Sequence, residues 1–343
     1  MQGVVFLGER QLELREFPDP QLGPGEVIVA IKASGLCGSD LHRYRAGAMP
    51  EPDRSHLCIV GHEPAGVVEA VGPGVRPEEA RIGDRVMINH YSGCNKCQQC
   101  RSGWPQMCTT LEIRLYGTNE NGSHAPYMRV PASTLVNLDE SLSFEAGAAI
   151  GCGTGTAWGG LERLGDVGGA DMVIFGQGPV GLSATMLANA RGARVIAVDL
   201  SRERLERAAL FGAAEVIDPS EVDASATVRE LTAGAGAALA LETSGSSIAA
   251  ASMLASLRPW GKACFIGLGG KVEFDVFDYL QSQLTLMTSW SMSIVDQSRC
   301  ATFIAKKGLP IDDLFSHRWS LEEAEQAYVE FDKQTAGKGV FLF

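Results

Sequence analysis

Four of the chain's nine cysteines are crowded into GCNKCQQCRSGWPQMC, residues 93–108. Cys94, Cys97, Cys100 and Cys108 are spaced C-x2-C-x2-C-x7-C, and four thiolates complete a closed tetrahedral zinc site. Disulfides are the competing use for so many thiols, but they belong to small secreted domains. This sequence has 343 residues and an odd number of cysteines, and its opening MQGVVFLGER lacks the basic and then apolar pattern of a secretory leader. A cytoplasmic, reducing location is therefore expected. An iron–sulfur cluster also takes four cysteines, usually at other spacings and often with a proline after a ligand. The lobe, about residues 91–112, contains Gly93, Gly103 and Pro105 and little apolar material, so a metal gives it a physical reason to be ordered.

A second chemistry is written at Gly176-Gln177-Gly178-Pro179-Val180-Gly181, a G-x-G-x-x-G between an apolar strand and a helix pattern. Gly176 permits the tight turn, Gly178 lets a pyrophosphate approach the backbone, and Gly181 lets helix and strand pack closely. The phosphates meet the free N–H groups and positive dipole end of the helix. Asp199, 23 residues after Gly176, is placed to accept hydrogen bonds from the adenosine ribose, which favours NAD over NADP. Arg202 and Arg204 follow it. Arg202 reads as a solvated helix position, and Arg204 is expected to lie over the ribose.

Three further stretches carry metal-ligand types: Gly35-Leu36-Cys37-Gly38-Ser39-Asp40-Leu41-His42, Gly61-His62-Glu63 and Ile150-Gly151-Cys152-Gly153. A lone cysteine or histidine is more often a packing residue. Together, beside a dinucleotide fold, they point to a second zinc with Cys37, His62 and Cys152 as ligands and one open position.

The elements that must position these groups are of two kinds. The first 150 residues are β-rich, with strands at 27–31, 66–71 and 85–88 punctuated by Pro and Gly. From about Ala170 strands and helices alternate. Strands are expected at 172–175, 195–198, 216–217, 239–241, 263–266 and 284–288, and helices at 179–191, 202–210, 224–232 and 247–257. That alternation means an α/β, doubly wound parallel sheet. Helices near 299–307 and 321–333 and a strand at 339–343 return the chain to the first domain. The composition, 45% hydrophobic with 20% charged residues, is that of a globular enzyme, and the net charge of −12 argues against nucleic acid and anionic membranes as partners. No apolar run approaches the roughly 20 residues of a membrane span.

Taken in order, these motifs resemble the zinc-dependent medium-chain alcohol dehydrogenase family, and the likeness covers essentially the whole chain. The resemblance implies a GroES-like catalytic domain at 1–152 and 291–343 and a Rossmann domain at 153–290, with nicotinamide and zinc in the cleft between them. It implies two zinc ions per chain. Cys37, His62 and Cys152 resemble the catalytic ligands, Glu63 an acid that is sometimes a ligand and sometimes behind one, and Asp40 the residue that fixes the tautomer of His62. Ser39 resembles the hydroxyl that takes the alcohol's proton, and His42 the end of a relay to solvent. Zinc would stabilise the alkoxide while hydride passes to NAD. Gly38 stands where some members have a pyrophosphate-binding arginine, so Lys338 and the helix after Gly178 are expected to share that task. His90, Tyr116 and Trp290 fall near pocket-lining positions.

The expected activity is that of an NAD-dependent zinc alcohol dehydrogenase (EC 1.1.1.-) acting on a secondary or small to medium alcohol and its carbonyl partner. A polyol dehydrogenase is the alternative, although many of those carry a glutamate where this chain has Cys152. A zinc-free reductase of the superfamily lacks the Cys37, His62 and Cys152 set. A non-enzymatic nucleotide-binding protein shares only the fold. The resemblance implies a homo-oligomer, a tetramer or otherwise a dimer.

Overall fold

In the computed structural model, which describes residues 1–48 and 57–343, the chain divides into two units, Met1–Cys152 with Met292–Phe343 and Gly153–Ser291. Ser291 thus closes the second unit, one residue beyond the sequence expectation.

The first unit is built on a seven-stranded sheet. Its order is Phe315–Trp319, Lys338–Leu342, Glu26–Gly35, Pro64–Val71, Arg85–Ile88 and Leu135–Asn137, with Tyr127–Pro131 also paired to Glu26–Gly35. Glu26–Gly35 is the central strand. Its inward positions Val27, Val29, Ile31 and Ala33 are buried in alternation, and then Ser34 and Gly35 are buried as well. The strand therefore ends deep in the unit and delivers Cys37 there. The C-terminal strand Lys338–Leu342 pairs antiparallel with it through Val340–Gly35 and Phe341–Ser34. An aromatic and aliphatic cluster of Phe6, Leu36, Tyr44, Trp319, Tyr328 and Phe341 packs beside this pairing.

The second unit is a six-stranded sheet in which every pair is parallel. Its order is Glu215–Ile217, Arg194–Val198, Asp171–Phe175, Ala237–Glu242, Leu257–Phe265 and Thr285–Thr288. In chain order this is 3-2-1-4-5-6, the doubly wound topology in which ligands bind outside the carboxyl ends of the strands where the order reverses. Gly176 lies directly after the first strand and Thr243 directly after the fourth, on either side of that reversal.

Several elements differ from sequence expectation. Helices Gly38–Tyr44, Phe144–Gly151 and Gly153–Leu164 have no clear periodic signal, because glycine is a poor helix former and the last carries four. Their burial explains them: six of the eight residues of Phe144–Gly151 are buried. The strand at Leu257–Phe265 starts earlier than expected, across Pro259 and a left-handed Trp260, with a register shift against its neighbour. The helix expected at 321–333 is a 3-10 turn, Leu321–Glu323, followed by Ala324–Asp332.

Candidate active site and metal centres

Cys37 stands at the N-terminal end of the helix Gly38–Tyr44 and caps it. Asp40, in the first turn, bends back: its Oδ2 accepts from Cys37 N at 3.0 Å, and its Oδ1 lies 2.9 Å from His62 Nδ1. One buried carboxylate thus fixes both residues, and it leaves His62 Nε2 on the side of Ser39. The Gly61-His62-Glu63 segment is held by Ser123 N on Gly61 O (3.0 Å) and by Gly35 N on Glu63 O (3.0 Å). Gly35 has to be glycine, since a Cβ there would overlap the Glu63 carboxylate. Cys152 closes the helix Phe144–Gly151 and brings its sulfur 3.9 Å from Cys37 Sγ.

Ligand atoms of Cys37, His62, Glu63 and Cys152 all lie within 4.8 Å of one another. Two thiolates each about 2.3 Å from a tetrahedral zinc are about 3.8 Å apart, so the observed sulfur separation fits such an ion. A buried Glu63 Oε1 without a hydrogen-bond partner among the described residues also fits a cation there. In the bare protein the charge is shared among protons. The hydrogen bond from Cys152 holds the Cys37 thiol well below its ordinary pKa, and that same bond, with burial, holds Cys152 well above. Burial pushes the His62 imidazolium down, but Asp40 and Cys37 more than offset it and the net shift is upward. A metal displaces these protons when it binds. The Ser39 hydroxyl is 3.2 Å from His62 Nε2 and 3.3 Å from Cys37 Sγ, beside the place where an ion fits. His42, three residues on, is exposed.

The four-cysteine lobe is the second cluster, again with all four sulfurs within 4.8 Å. Cys94 Sγ lies 3.9 Å from Cys100 Sγ, the same tetrahedral edge, and accepts from Cys97 N at 3.2 Å. Gly93 leaves room for this packing, since a Cβ there would sit 2.6 Å from Cys100 Sγ. Backbone N–H groups of Thr110 and Cys94 pull Cys108 down to about 5, and those of Cys100 and Thr109 pull Cys97 to about 7, while burial raises Cys100 to about 12. The lobe is anchored at its back by Ile294 N on Gly103 O and Gln106 Nε2 on Met292 O, both 2.8 Å.

In the second unit, Gly176 takes φ +87° and Gly178 caps the helix Pro179–Ala190 without a side-chain partner. A Cβ at Gly181 would overlap the Gly176 carbonyl. In front of Gly178, by contrast, a Cβ would meet only the Arg204 guanidinium at 4.0 Å, so the helix N-terminus is open on that side, as the approach of a phosphate requires. Asp199 follows the strand Arg194–Val198. Its Oδ2 accepts from Gln177 N at 2.5 Å and its Oδ1 from Ser201 N at 2.8 Å, which fixes its orientation.

Two family models match the chain, "Alcohol dehydrogenase GroES-like domain" over residues 23–140 and "Zinc-binding dehydrogenase" over 179–306. An uncharacterized zinc-type alcohol dehydrogenase-like protein, YphC, of Escherichia coli is 39% identical over 100% of this chain and 99% of its own length. The chain belongs to the zinc-type medium-chain alcohol dehydrogenase family. A sorbitol dehydrogenase of Bacillus subtilis is 33% identical over 80% of this chain and 76% of its own. The solved alcohol dehydrogenase TADH from Thermus sp. ATN1 superimposes with a TM-score of 0.91 at 30% identity, covering 100% of this chain and 99% of that one.

In this member of the zinc-type alcohol dehydrogenases, the expected residues Lys338, Tyr116, His90 and Trp290 have different surroundings. Lys338, expected to help hold a pyrophosphate, is 2% exposed inside the first unit, ion-paired with Glu63 and donating to Leu36 O at 3.2 Å. A buried ammonium needs a buried counter-charge, and Glu63 supplies it. Burial pushes the Glu63 carboxyl up, and the Lys338 ammonium pulls it back down. Tyr116, expected at the substrate, packs in the apolar cluster of Val27, Val29, Met128 and Val130. Burial lifts its phenol to about 12. His90 does stand at the cluster, its ring 5.0 Å from that of His62. Trp290, in the second unit, is about half exposed. Sequence reasoning missed Thr243, whose hydroxyl donates to Gly176 O at 2.9 Å and would lie 2.8 Å from a Cβ at Gly176. It also missed the Lys338–Glu63 pair. Neither carries a motif, and only strand pairing brings them together.

Proposed function

We propose that this chain is an NAD-dependent zinc alcohol dehydrogenase whose substrate is a secondary or small to medium alcohol or the corresponding carbonyl compound. The observation that carries this reading is the Ser39 hydroxyl standing within 3.3 Å of two members of the Cys37, His62 and Cys152 set. Zinc held by these three residues supplies Lewis acidity that makes a hydroxyl ionise near neutral pH, and NAD supplies the hydride acceptor. The chain's own residues do the rest. Ser39 takes the substrate's proton and His42 passes it to solvent. Asp40 holds His62 in the tautomer that leaves Nε2 for the metal. Asp199 and the helix after Gly178 bind the dinucleotide, and Asp199 selects NAD by repelling a 2′-phosphate. Cys94, Cys97, Cys100 and Cys108 hold a second, closed zinc that orders their lobe. Nine free cysteines suit a reducing cytoplasm.

A polyol substrate is the second reading, and His90 favours it. Its Nδ1 lies 3.3 Å from Gly151 O, a group that only accepts, so Nδ1 carries the proton and Nε2 is the acceptor nitrogen, suited to a second substrate hydroxyl. Burial holds this ring neutral, with its pKa down at about 3. Likeness to a sorbitol dehydrogenase supports the same reading. NADH absorbance with panels of monohydric alcohols and polyols decides between them. Turnover of neither class, by protein containing zinc, overturns the proposal.

A homo-oligomer is also proposed. The edge strand Thr285–Thr288 leaves one side of the six-stranded sheet unpaired, and Phe274, Val276, Phe277, Leu280 and Leu286 are exposed near it in sequence. Light scattering on the purified protein tests whether the assembly is a tetramer, a dimer or neither.

A further inference from the structure

Ser34, Ser123, His124 and Tyr328 are polar side chains with 0% exposure, and they form one chain of hydrogen bonds. Tyr328 Oη lies 2.8 Å from His124 Nε2, His124 Nδ1 lies 2.7 Å from Ser34 Oγ, and Ser34 Oγ lies 2.7 Å from Ser123 Oγ. The wall around them is aromatic. Phe341 meets the imidazole edge-on at 4.7 Å and Phe6 meets the Tyr328 ring edge-on at 4.9 Å. Burial lowers His124 to about 4, so at neutral pH the ring has one donor and one acceptor, and each has a partner.

Stability alone does not call for such a network. Replacing both partners of a buried hydrogen bond by apolar groups of the same shape is often close to neutral. A fully paired buried network does hold its segments in one arrangement, and here those segments carry the metal ligands. Ser34 lies three residues before Cys37. His124 packs against Gly61, the residue before His62. Gly61 has φ +90°, and a Cβ there would overlap the imidazole. The same loop is bonded to the ligand segment through His124 N on Val60 O (2.9 Å) and Ser123 N on Gly61 O (3.0 Å). Tyr328 fixes the far side from the helix Ala324–Asp332.

We propose that Ser34, Ser123, His124 and Tyr328 form a positioning network that sets the approach of the Cys37 segment to the His62 segment, and through it the metal affinity of the open centre and the placement of Ser39. The inference rests on the reading of Cys37, His62 and Cys152 as a metal centre. The side-chain hydrogen bonds of the four run to one another and not to the ligand sulfurs or Ser39. They act through Gly61 and the end of the strand Glu26–Gly35.

The test compares His124→Phe, Tyr328→Phe and the double variant with the native holoenzyme. It reads zinc affinity by chelator competition, the absorption bands of the cobalt(II)-substituted open centre, the thermal midpoint, and kcat and KM separately. His124→Phe strands the Tyr328 hydroxyl and should lower both the thermal midpoint and the open-site affinity. The affinity loss should be about tenfold, the low end for residues that orient ligands, with shifted cobalt bands and a fall in kcat larger than any rise in KM. The double variant removes the stranded hydroxyl. It should regain the thermal midpoint yet keep the weakened metal site and altered bands. If the double variant recovers affinity and bands together with stability, the network only packs the core and the inference fails. It fails equally if His124→Phe leaves affinity and bands native. Should His124→Phe not fold, Ser34→Ala carries the same comparison, and a native metal site in it overturns the inference. A native protein that takes up no metal at Cys37, His62 and Cys152 overturns the metal-centre reading and this inference with it. A loaded native protein with an unaffected variant overturns the inference alone.

Discussion

The two cysteine-bearing clusters reach the same sulfur separation, 3.9 Å, by opposite routes. The lobe draws all its ligands from one run, Cys94 to Cys108, and its sulfurs are aimed by backbone N–H groups of that run and of the residues just after it. The open centre joins Cys37 to Cys152 across 115 residues and aims them through strand ends, a cap and a buried carboxylate. Loop closure does not explain why both exist, because a roughly eightfold longer loop costs only about 2 kcal/mol more. The difference lies in what is ordered before the metal arrives. The lobe has little apolar material, so metal binding and ordering are one event. The open centre sits on a packed unit, so on the proposed reading a metal there would be free to serve chemistry.

That contrast is most directly broken at Cys37. Cys37→Ser should abolish turnover, to below about a thousandth of native, while circular dichroism and NADH fluorescence titration stay native and metal analysis falls from about two zinc ions per chain to about one. A variant that keeps activity with one zinc fewer would mean the wrong cluster has been assigned to chemistry. Ser39→Ala should lower kcat by about 10²–10⁴-fold, the usual worth of a general acid–base group, with zinc content and NAD affinity unchanged. Stopped-flow measurement of the hydride step checks this. Full retention of that rate removes Ser39 from the relay.

Cys100→Ser sharpens the other half of the comparison. One zinc per chain should again be lost, but the expected cost is a thermal midpoint lower by roughly 5–10 °C, with kcat within a few-fold of native while the protein remains folded. Native stability with two zinc ions in this variant would show that the lobe is no closed metal site. The smallest effect is expected in the second unit. Asp199→Asn removes the charge proposed to repel a 2′-phosphate and keeps one amide oxygen, which can accept from only one of Gln177 N and Ser201 N. The ratio of kcat/KM for NAD over NADP should drop about tenfold, or about 1.4 kcal/mol. An unchanged ratio points to Arg204 rather than Asp199 as the selecting residue.

Local features were legible in the amino-acid sequence by themselves. The four-cysteine spacing, the glycine fingerprint with an acid at the end of the next strand, and the strand–helix alternation are each written within a few dozen residues, because each is a short-range physical requirement. The helices Phe144–Gly151 and Gly153–Leu164 were not legible, since their glycine content opposes helix and only burial overrides it. Cys37, His62 and Cys152 could be nominated as ligands from their types, but the distances that make them a set depend on strand pairing and on Asp40. Lys338 shows the limit most clearly. Its charge reads as available for an anion, yet antiparallel pairing of the last strand with Glu26–Gly35 carries it into the interior against Glu63. Likewise nothing in the spacing of Ser34, Ser123, His124 and Tyr328 relates them. Tertiary structure decided these partnerships because burial forces each polar group to find a partner in space, and the chain positions of such partners are set by topology rather than by sequence distance.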